Sequence, residues 1–338
     1  MPFLGMFSND IAIDLGTANT LIYMKGKGIV LNEPSIVTYD VTSRKIIAIG
    51  EESKKMMGRV HKELNTIRPM KDGVIADFEI AEGMIKEFIK KISSSWMPSR
   101  RIVICVPSGI TEVEKRAVRD TAEHAGAKEV YLISEPMAAA IGIGLDVMAP
   151  YGNMIVDIGG GTTEIAVIAL SGITNGTSIR IAGDELTDAI IRFFRNNHNI
   201  LIGERTAEEI KCQVGSVMPL KEEVIIEVKG RDLVAGIPKI TEVSSIEIRE
   251  SLNAPVNQMI EAVRVALEKT APELASDLLD RGIFLTGGGA LIKGLDERIK
   301  METGVPVYVA EDPLTAVARG TGKVLEDLDY YKKVLLRR

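Results

Sequence analysis

The chain has 338 residues, of which 46% are apolar and 26% charged, and this length exceeds what one hydrophobic core usually serves, so we expect two lobes. A formal net charge of −6 argues against a broadly basic, nucleic-acid-binding surface. Two cysteines, no apolar run of transmembrane length and no signal peptide predict a cytoplasmic protein without a disulfide framework.

The first predicted element is a strand–turn–strand unit near the N-terminus. An apolar run at residues 11–13 ends at Asp14, and a second apolar run follows at residues 21–24. The turn between them holds Gly16, Thr17, Ala18, Asn19 and Thr20. Glycine lets backbone N–H groups approach an anion, and threonine hydroxyls add donors, so this turn is a candidate phosphate-binding loop.

Amphipathic helices and a polar loop come next. Apolar residues recur at helical spacing at residues 80–92 and again at 113–125, which predicts two core-facing helices. Between them, residues 93–99 (SSSWMPS) interrupt the pattern and carry Trp96 and Met97. On the sequence alone, a tryptophan in such a loop is more often a lid over the core than a binding element.

After a predicted strand at residues 130–133, Glu135 and Pro136 mark the start of a helix rich in small residues. Proline at the first helical position would preorganise that helix and direct Glu135 towards a cleft. The alternative is that Glu135 is an ordinary acidic residue at a helix N-terminus, favoured by the helix dipole.

The strand–turn–strand unit then recurs. Residues 154–156 lead to Asp157, the turn holds Gly159, Gly160, Gly161, Thr162 and Thr163, and residues 165–168 form the second run. A third cluster, Gly287, Gly288 and Gly289, follows the apolar residues 283–285. One such turn is weak support, since Asp and Gly are common in ordinary hairpins. Two copies predict one nucleotide held from both sides, with hydrated Mg²⁺ between Asp14 and Asp157.

The combination of motifs resembles the actin/Hsp70/sugar kinase ATPase superfamily and, within it, the MreB family of bacterial actins. The resemblance rests on residues 13–21 (IDLGTANTL), 32–35 (NEPS), 68–78 (RPMKDGVIADF), 135–142 (EPMAAAIG), 156–163 (VDIGGGTT), 203–208 (GERTAE) and 285–291 (LTGGGAL). These motifs span almost the whole chain.

This resemblance implies an α/β, actin-like ATPase fold: two RNase H-like lobes, each with a smaller inserted subdomain, around a nucleotide cleft. The expected boundaries are residues 1–32, 67–146 and 311–338 for subdomain IA, 33–66 for IB, 147–182 and 247–310 for IIA, and 183–246 for IIB.

The resemblance also implies roles for individual residues in binding and hydrolysing ATP with Mg²⁺. Glu135 would orient the attacking water, with Thr162 beside the water or the γ-phosphate. Gly287, Gly288, Gly289 and Ala290 would form the adenosine-side loop, and Glu208 and Lys211 would lie near the base and ribose. The alternative for Glu208 and Lys211 is a solvated i,i+3 ion pair. The family usually has glutamate where this chain has Ser134.

Members of this family place an apolar N-terminus and an apolar loop against the inner membrane. The matching candidates are Phe3, Leu4 and Phe7 in the N-terminal tract and Trp96 and Met97 in the loop. Two weak anchors suit reversible, peripheral membrane association, and polymerisation would strengthen it by avidity. The implied partners are further copies of the chain, in head-to-tail filaments that pair in antiparallel fashion, and membrane proteins of the cell-elongation machinery.

The function implied is a filament-forming ATPase that organises cell-wall synthesis and maintains rod shape. Two alternatives remain open. A small-metabolite kinase of the same superfamily would transfer the γ-phosphate to a bound substrate, and a plasmid-segregating actin would form filaments with another cellular role.

Overall fold

The computed structural model describes residues 10–92 and 101–336, and within them strands and helices alternate around two sheets of five strands each. The strands are β1 (Ile11–Leu15), β2 (Asn19–Met24), β3 (Gly28–Pro34), β4 (Val37–Asp40), β5 (Ile46–Ile49), β6 (Leu64–Ile67), β7 (Met70–Lys71), β8 (Val74–Ile75), β9 (Arg101–Val106), β10 (Glu129–Ser134), β11 (Asn153–Ile158), β12 (Thr163–Ala169), β13 (Gly172–Ile179), β14 (Ile200–Leu201), β15 (Ile225–Asp232), β16 (Pro238–Ser244), β17 (Ile283–Thr286) and β18 (Val307–Val309).

The α-helices are α1 (Glu51–Met56), α2 (Phe78–Ile92), α3 (Glu112–His124), α4 (Glu135–Gly142), α5 (Gly183–Asn197), α6 (Glu204–Val214), α7 (Ser245–Glu268), α8 (Pro272–Arg281), α9 (Leu295–Thr303) and α10 (Ala316–Glu326). Short 3₁₀ helices occur at Gly288–Leu291, Pro313–Thr315 and Tyr330–Val334.

The two large sheets share one topology. The first has the order β10-β9-β1-β2-β3 and the second β18-β17-β11-β12-β13. In each, a strand that ends in aspartate pairs antiparallel with the next strand of its hairpin and parallel with a later strand. We call the part built on the first sheet lobe I and the part built on the second lobe II. The duplication expected from the two similar hairpin sequences is therefore present in the fold.

Two smaller sheets lie within the segments that the sequence assigns to the inserted subdomains. One has the order β5-β4-β6 and the other β14-β15-β16. The first large sheet extends slightly into the first of these segments, because β3 ends at Pro34.

The helices predicted from apolar spacing are present and bury the expected faces. Helix α2 buries Ile80, Met84 and Phe88 in the core of lobe I. Helix α3 is fixed at its start by a capping box in which Thr111 and Glu114 bond each other's backbone N–H groups. Strands β11 and β12 are buried along their whole length, and nine of their thirteen residues are apolar, as in strands covered on both faces.

The lobes meet where α4 crosses α10. A methyl carbon added at Gly142 would lie 1.8 Å from the carbonyl oxygen of Ala316, and one added at Gly320 would lie 1.7 Å from that of Ala138. Only glycine permits this backbone approach. The core around the crossing includes residues of both large sheets, so the two helices join the lobes at the base of the cleft.

The predicted membrane-contact residues Phe3, Leu4, Phe7, Trp96 and Met97 lie outside the described residues. Among residues 10–92 and 101–336, none of the helices combines the length and the apolar character needed to cross a membrane.

Candidate functional site

A cleft of about 440 Å³ separates the lobes, and most of the predicted nucleotide-site residues line it. They are Asp14, Gly16, Thr17, Ala18, Asn19, Glu135, Asp157, Gly159, Gly160, Gly161, Thr162, Glu208, Lys211, Gly287, Gly288 and Gly289. Residues from five separate stretches of the chain thus converge at one place.

The first hairpin turn lies between β1 and β2 and is closed by a bond from the Gly16 N–H to the Asn19 carbonyl oxygen at 3.1 Å. A methyl carbon at Gly16 would lie 2.7 Å from that oxygen, so the turn requires glycine. The Ser35 hydroxyl donates to the Gly16 carbonyl at 2.7 Å, which anchors the turn to the residue after β3.

The second hairpin turn, between β11 and β12, meets the first across the cleft. It is closed by a bond from the Gly159 N–H to the Thr162 carbonyl oxygen at 2.9 Å. A methyl carbon at Gly160 would lie 2.8 Å from the Ala18 Cβ, and one at Gly161 would lie 2.7 Å from the Thr17 Oγ1. The two turns therefore approach each other as closely as glycine allows.

The third glycine cluster packs against the end of the second hairpin. Gly287 has φ of 77°, a left-handed conformation that favours glycine, and a methyl carbon there would lie 2.3 Å from the Ile158 carbonyl oxygen. The cluster continues into the 3₁₀ helix at Gly288–Leu291, and α9 begins at Leu295.

Asp157 is buried and Asp14 half-buried, each one residue before the end of its strand, β11 and β1. Burial raises the pKa of Asp14 to about 6, although a hydrogen bond from the Cys105 thiol, 3.2 Å away, opposes the rise. Burial also raises the pKa of Asp157 to about 7, against a hydrogen bond from the Thr286 hydroxyl at 2.9 Å and with a further contribution from the charge of Asp14.

Two desolvated carboxylates in one cleft suit a hard divalent cation such as Mg²⁺. The bound cation would offset the repulsion between the two negative charges. In the described part of the chain, no three acidic, histidine or cysteine residues are grouped as metal ligands.

Glu135 is the first residue of α4 and lines the cleft from lobe I, whereas Thr162 lines it from lobe II. The helix begins one residue earlier than predicted, so Pro136 occupies its second position. Burial, followed by the charges of Glu164, Asp157 and Asp14, raises the pKa of Glu135 well above its ordinary value.

Glu208 and Lys211 form an ion pair on the cleft wall, with Nζ and Oε2 2.6 Å apart. The Lys211 side chain is only 9% exposed and also donates to the Gly183 carbonyl oxygen at 2.9 Å and the Thr187 hydroxyl at 3.0 Å. The Glu208 side chain is 47% exposed, so the pair is buried on the lysine side and solvated on the glutamate side. It fixes α6 to the first turn of α5, beside the cleft.

Three of the predicted nucleotide-site residues are not among those that line the cleft. Thr20 and Ser35 share a hydrogen bond between their hydroxyls at 2.8 Å, and the Thr163 hydroxyl donates to the Ile181 carbonyl oxygen at 2.6 Å. Ala290 is buried beneath the third glycine cluster. The two hydroxyls thus stabilise the hairpins instead of facing the cleft.

The cleft also contains residues that the sequence reading did not assign. Arg68 follows β6, and Asp184 lies in the first turn of α5. Burial raises the pKa of Asp184, and the positive charges of Arg68 and Lys211 oppose that rise. Arg68 is the first residue of the motif at residues 68–78, which carries part of the family resemblance. No local sequence pattern indicated that Arg68 would face lobe II.

Comparison with known proteins agrees with this geometry. A family model described as MreB/Mbl protein matches residues 8–333. The chain is 55% identical over 335 residues to the cell shape-determining protein MreB of Escherichia coli K12, covering 97% of this chain and 96% of that protein. It is 49% identical over 329 residues to the cell shape-determining protein Mbl of Bacillus subtilis 168, covering 97% and 99%.

Among solved structures, the chain is similar to MreB5 of Spiroplasma citri bound to AMPPNP. The TM-score is 0.91 at 36% identity, and the match covers 96% of this chain and 98% of the other. A second structure of that protein, bound to ADP, matches with the same TM-score at 37% identity. The actin-like, two-lobed α/β fold expected from the sequence is confirmed.

Proposed function

The chain belongs to the MreB/Mbl family of cell shape-determining actin homologues, and from this premise we propose that it binds and hydrolyses ATP, polymerises into filaments at the inner face of the cell membrane and organises cell-wall synthesis to maintain rod shape. The observation that carries the proposal is the meeting of two glycine turns, one from each lobe, across a cleft lined by buried acids.

Nucleotide binding follows from the chemistry of the two turns. The backbone N–H groups of residues 17–19 and 160–162 are close enough to serve one phosphate chain between the lobes. Support also comes from MreB5 of Spiroplasma citri, which has been solved with AMPPNP and with ADP.

Hydrolysis requires a positioned water and stabilisation of charge on the transferred phosphoryl group. In our proposal, Glu135 orients that water and accepts its proton. Thr162, on the opposite lobe, holds the water or the γ-phosphate. Asp14 and Asp157 would hold hydrated Mg²⁺, which when bound would neutralise phosphate charge.

We expect copies of the chain to associate head-to-tail. Such a contact joins two different surfaces and need not form a closed ring, so it can continue into a filament. A second contact, made by α3, would pair two filaments in antiparallel fashion. On that helix Val113 is 79% exposed and is flanked by charged residues, as in the apolar centre of a contact with a polar rim.

Membrane association is supported by the contact between Asp10 and Arg101, the residues that follow the two candidate membrane segments. Asp10 directly follows residues 1–9, and Arg101 directly follows residues 93–100. The buried Asp10 carboxylate accepts from the Arg101 backbone N–H at 3.1 Å and from its Nε at 2.9 Å. The two candidate membrane segments are therefore joined to the fold at adjacent points, which lets both reach one surface. Membrane proteins of the elongation machinery would dock on that side.

The proposal is tested by measuring ATP binding and phosphate release on the purified protein with Mg²⁺. We expect binding of ATP and ADP, and slow phosphate release that falls on the order of 100-fold in Glu135→Gln with nucleotide binding retained. Glu63→Gln, an exposed change away from the cleft, is the matched control.

Folded protein that binds neither nucleotide would contradict the proposal. Phosphate transfer that appears only when a small metabolite is added would instead identify a kinase of the same superfamily.

A further inference from the structure

Glu164 is a buried acid to which the proposed hydrolysis mechanism gives no role. It lies on β12, two residues after Thr162, and pairs in register with Asp157 on β11. The residue is 0% exposed, and the five residues that follow it on β12 are all apolar. Burying a carboxylate is costly unless it receives hydrogen bonds, so its partners indicate what it does.

The two partners of Glu164 come from different lobes. Its Oε2 accepts a hydrogen bond from the Ser108 backbone N–H at 2.9 Å, and its Oε1 accepts one from the Ser178 hydroxyl. Ser178 belongs to β13 of lobe II, whereas Ser108 lies in the turn after β9 of lobe I. The carboxylate therefore bonds the lobes together at the base of the cleft.

This bond lies beside Thr162. A methyl carbon added at Gly73 would be 2.8 Å from the Pro107 side chain and 3.0 Å from the Thr162 Cγ2, so these three residues are packed tightly together. Pro107 and Gly73 belong to lobe I, and Thr162 to lobe II. Movement of the Ser108 turn away from Glu164 would consequently change the surroundings of Thr162.

Glu135 and Thr162 can act on one water only if the lobes are in register, because each lobe supplies one of them. We propose that Glu164 is a positioning residue for hydrolysis: by binding the Ser108 N–H, it registers lobe I against lobe II so that Glu135 and Thr162 face the same water. This inference rests on the proposed ATPase function.

The bond can be removed from the Ser108 side alone. The Ile110 N–H bonds to the Pro107 carbonyl oxygen at 3.3 Å, so Ser108 is the second residue of a turn, a position that favours proline. Ser108→Pro deletes the N–H that Glu164 accepts and leaves the acid in place. Ser108→Ala keeps the N–H and is the matched control.

The bond can also be tested from the other side. Glu164→Leu removes both acceptor oxygens, whereas Glu164→Gln keeps an oxygen for the Ser108 N–H and an amide that can donate to Ser178. We expect Glu164→Gln to rescue what Glu164→Leu loses, because the role requires the hydrogen bond and not the charge.

The experiment measures single-turnover ATP hydrolysis and ATP affinity in all four variants, together with the distance between spin labels on the two lobes with AMPPNP bound. Spin labels on cysteines introduced at the exposed positions 63 and 242 report closure of the two lobes independently of hydrolysis. Cys212→Ser removes the exposed native cysteine, which would otherwise also be labelled.

We expect Ser108→Pro and Glu164→Leu to slow hydrolysis on the order of 10-fold or more, with ATP affinity changed by less than about 3-fold and a broader inter-lobe distance distribution. Ser108→Ala and Glu164→Gln should resemble the parent protein in both measurements. If Ser108→Pro hydrolyses ATP and closes as Ser108→Ala does, the inference is overturned. If the parent protein does not hydrolyse ATP, the proposed function fails, while the distance measurement still tests whether Glu164 registers the lobes.

Discussion

Arg68 and Glu204 form an ion pair across the mouth of the cleft, with Nη2 of the arginine 2.6 Å from Oε1 of the glutamate. Arg68 belongs to lobe I and also donates to the Thr17 carbonyl oxygen at 3.5 Å, whereas Glu204 begins α6 of lobe II. The pair joins the two lobes at a residue that lines the cleft, Arg68, so we expect it to slow nucleotide release.

The first prediction concerns nucleotide release. Arg68→Ala and Glu204→Ala should each speed dissociation of a fluorescent ADP analogue by roughly 2–5-fold, since a partly exposed ion pair contributes about 0.5–1 kcal/mol. The double variant should release no faster than either single one, because both remove the same contact. Stopped-flow displacement measures the rate, with the exposed Arg59→Ala as control. Equal rates in all variants would show that the pair does not restrain the nucleotide.

The second prediction concerns the pH dependence of stability without metal or nucleotide. The pKa values of Asp14 and Asp157, about 6 and about 7, lie above the ordinary 3.8, so the folded protein binds more protons than the unfolded chain between these values. The stability gained from these protonated acids is complete below pH 4 and is lost as the pH rises through 6 and 7.

Asp157→Asn should therefore stabilise the metal-free protein at pH 8 and not near pH 4. The gain in the free energy of unfolding at pH 8 should be about 1.4 kcal/mol for each unit by which folding raises the pKa of Asp157. Thermal unfolding of the two proteins across this range measures the difference, and the exposed Asp280→Asn is the control. A difference that does not depend on pH would mean that folding does not raise the pKa of Asp157.

The third prediction concerns the crossing of α4 and α10. Gly320→Ala would put a methyl group 1.7 Å from the Ala138 carbonyl oxygen, so the two helices must separate. We expect a loss of roughly 1–3 kcal/mol or more in the free energy of unfolding, measured by urea denaturation. Gly203→Ala adds the same methyl group where no atom lies within 4 Å and should have a small effect. Equal stability of the two variants would refute the close crossing.

The fourth prediction concerns the membrane. Replacing Phe3, Phe7, Trp96 and Met97 by serine should abolish co-sedimentation with liposomes and leave ATP binding unchanged, because two short apolar anchors are needed for reversible attachment. Phe78→Ser removes an aromatic ring that is 53% exposed elsewhere on the surface and should co-sediment normally. Unchanged co-sedimentation of the fourfold variant would exclude these residues as the anchor.

The sequence predicted those parts of the site that depend on local chemistry. Gly16 and Gly160 lie in turns whose backbone geometry excludes a side chain, so the residue type itself indicates the turn. The aspartates at the ends of β1 and β11 were likewise predicted, because each ends an apolar run.

Other features depend on contacts between distant segments and left no local signal. The burial of Lys211 depends on a carbonyl group at the start of α5, and the pairing of Arg68 depends on how the lobes meet. Glu164 did carry a signal, an acid inside an otherwise apolar strand, but its meaning appears only when Ser108 is brought beside it.

The most direct test of the account is negative-stain electron microscopy of the purified protein with ATP and Mg²⁺, on a lipid monolayer and without one. The account predicts straight, paired filaments on the lipid in the presence of ATP. A folded protein that forms no filaments with any nucleotide, at any salt concentration, on lipid or in solution, would contradict it.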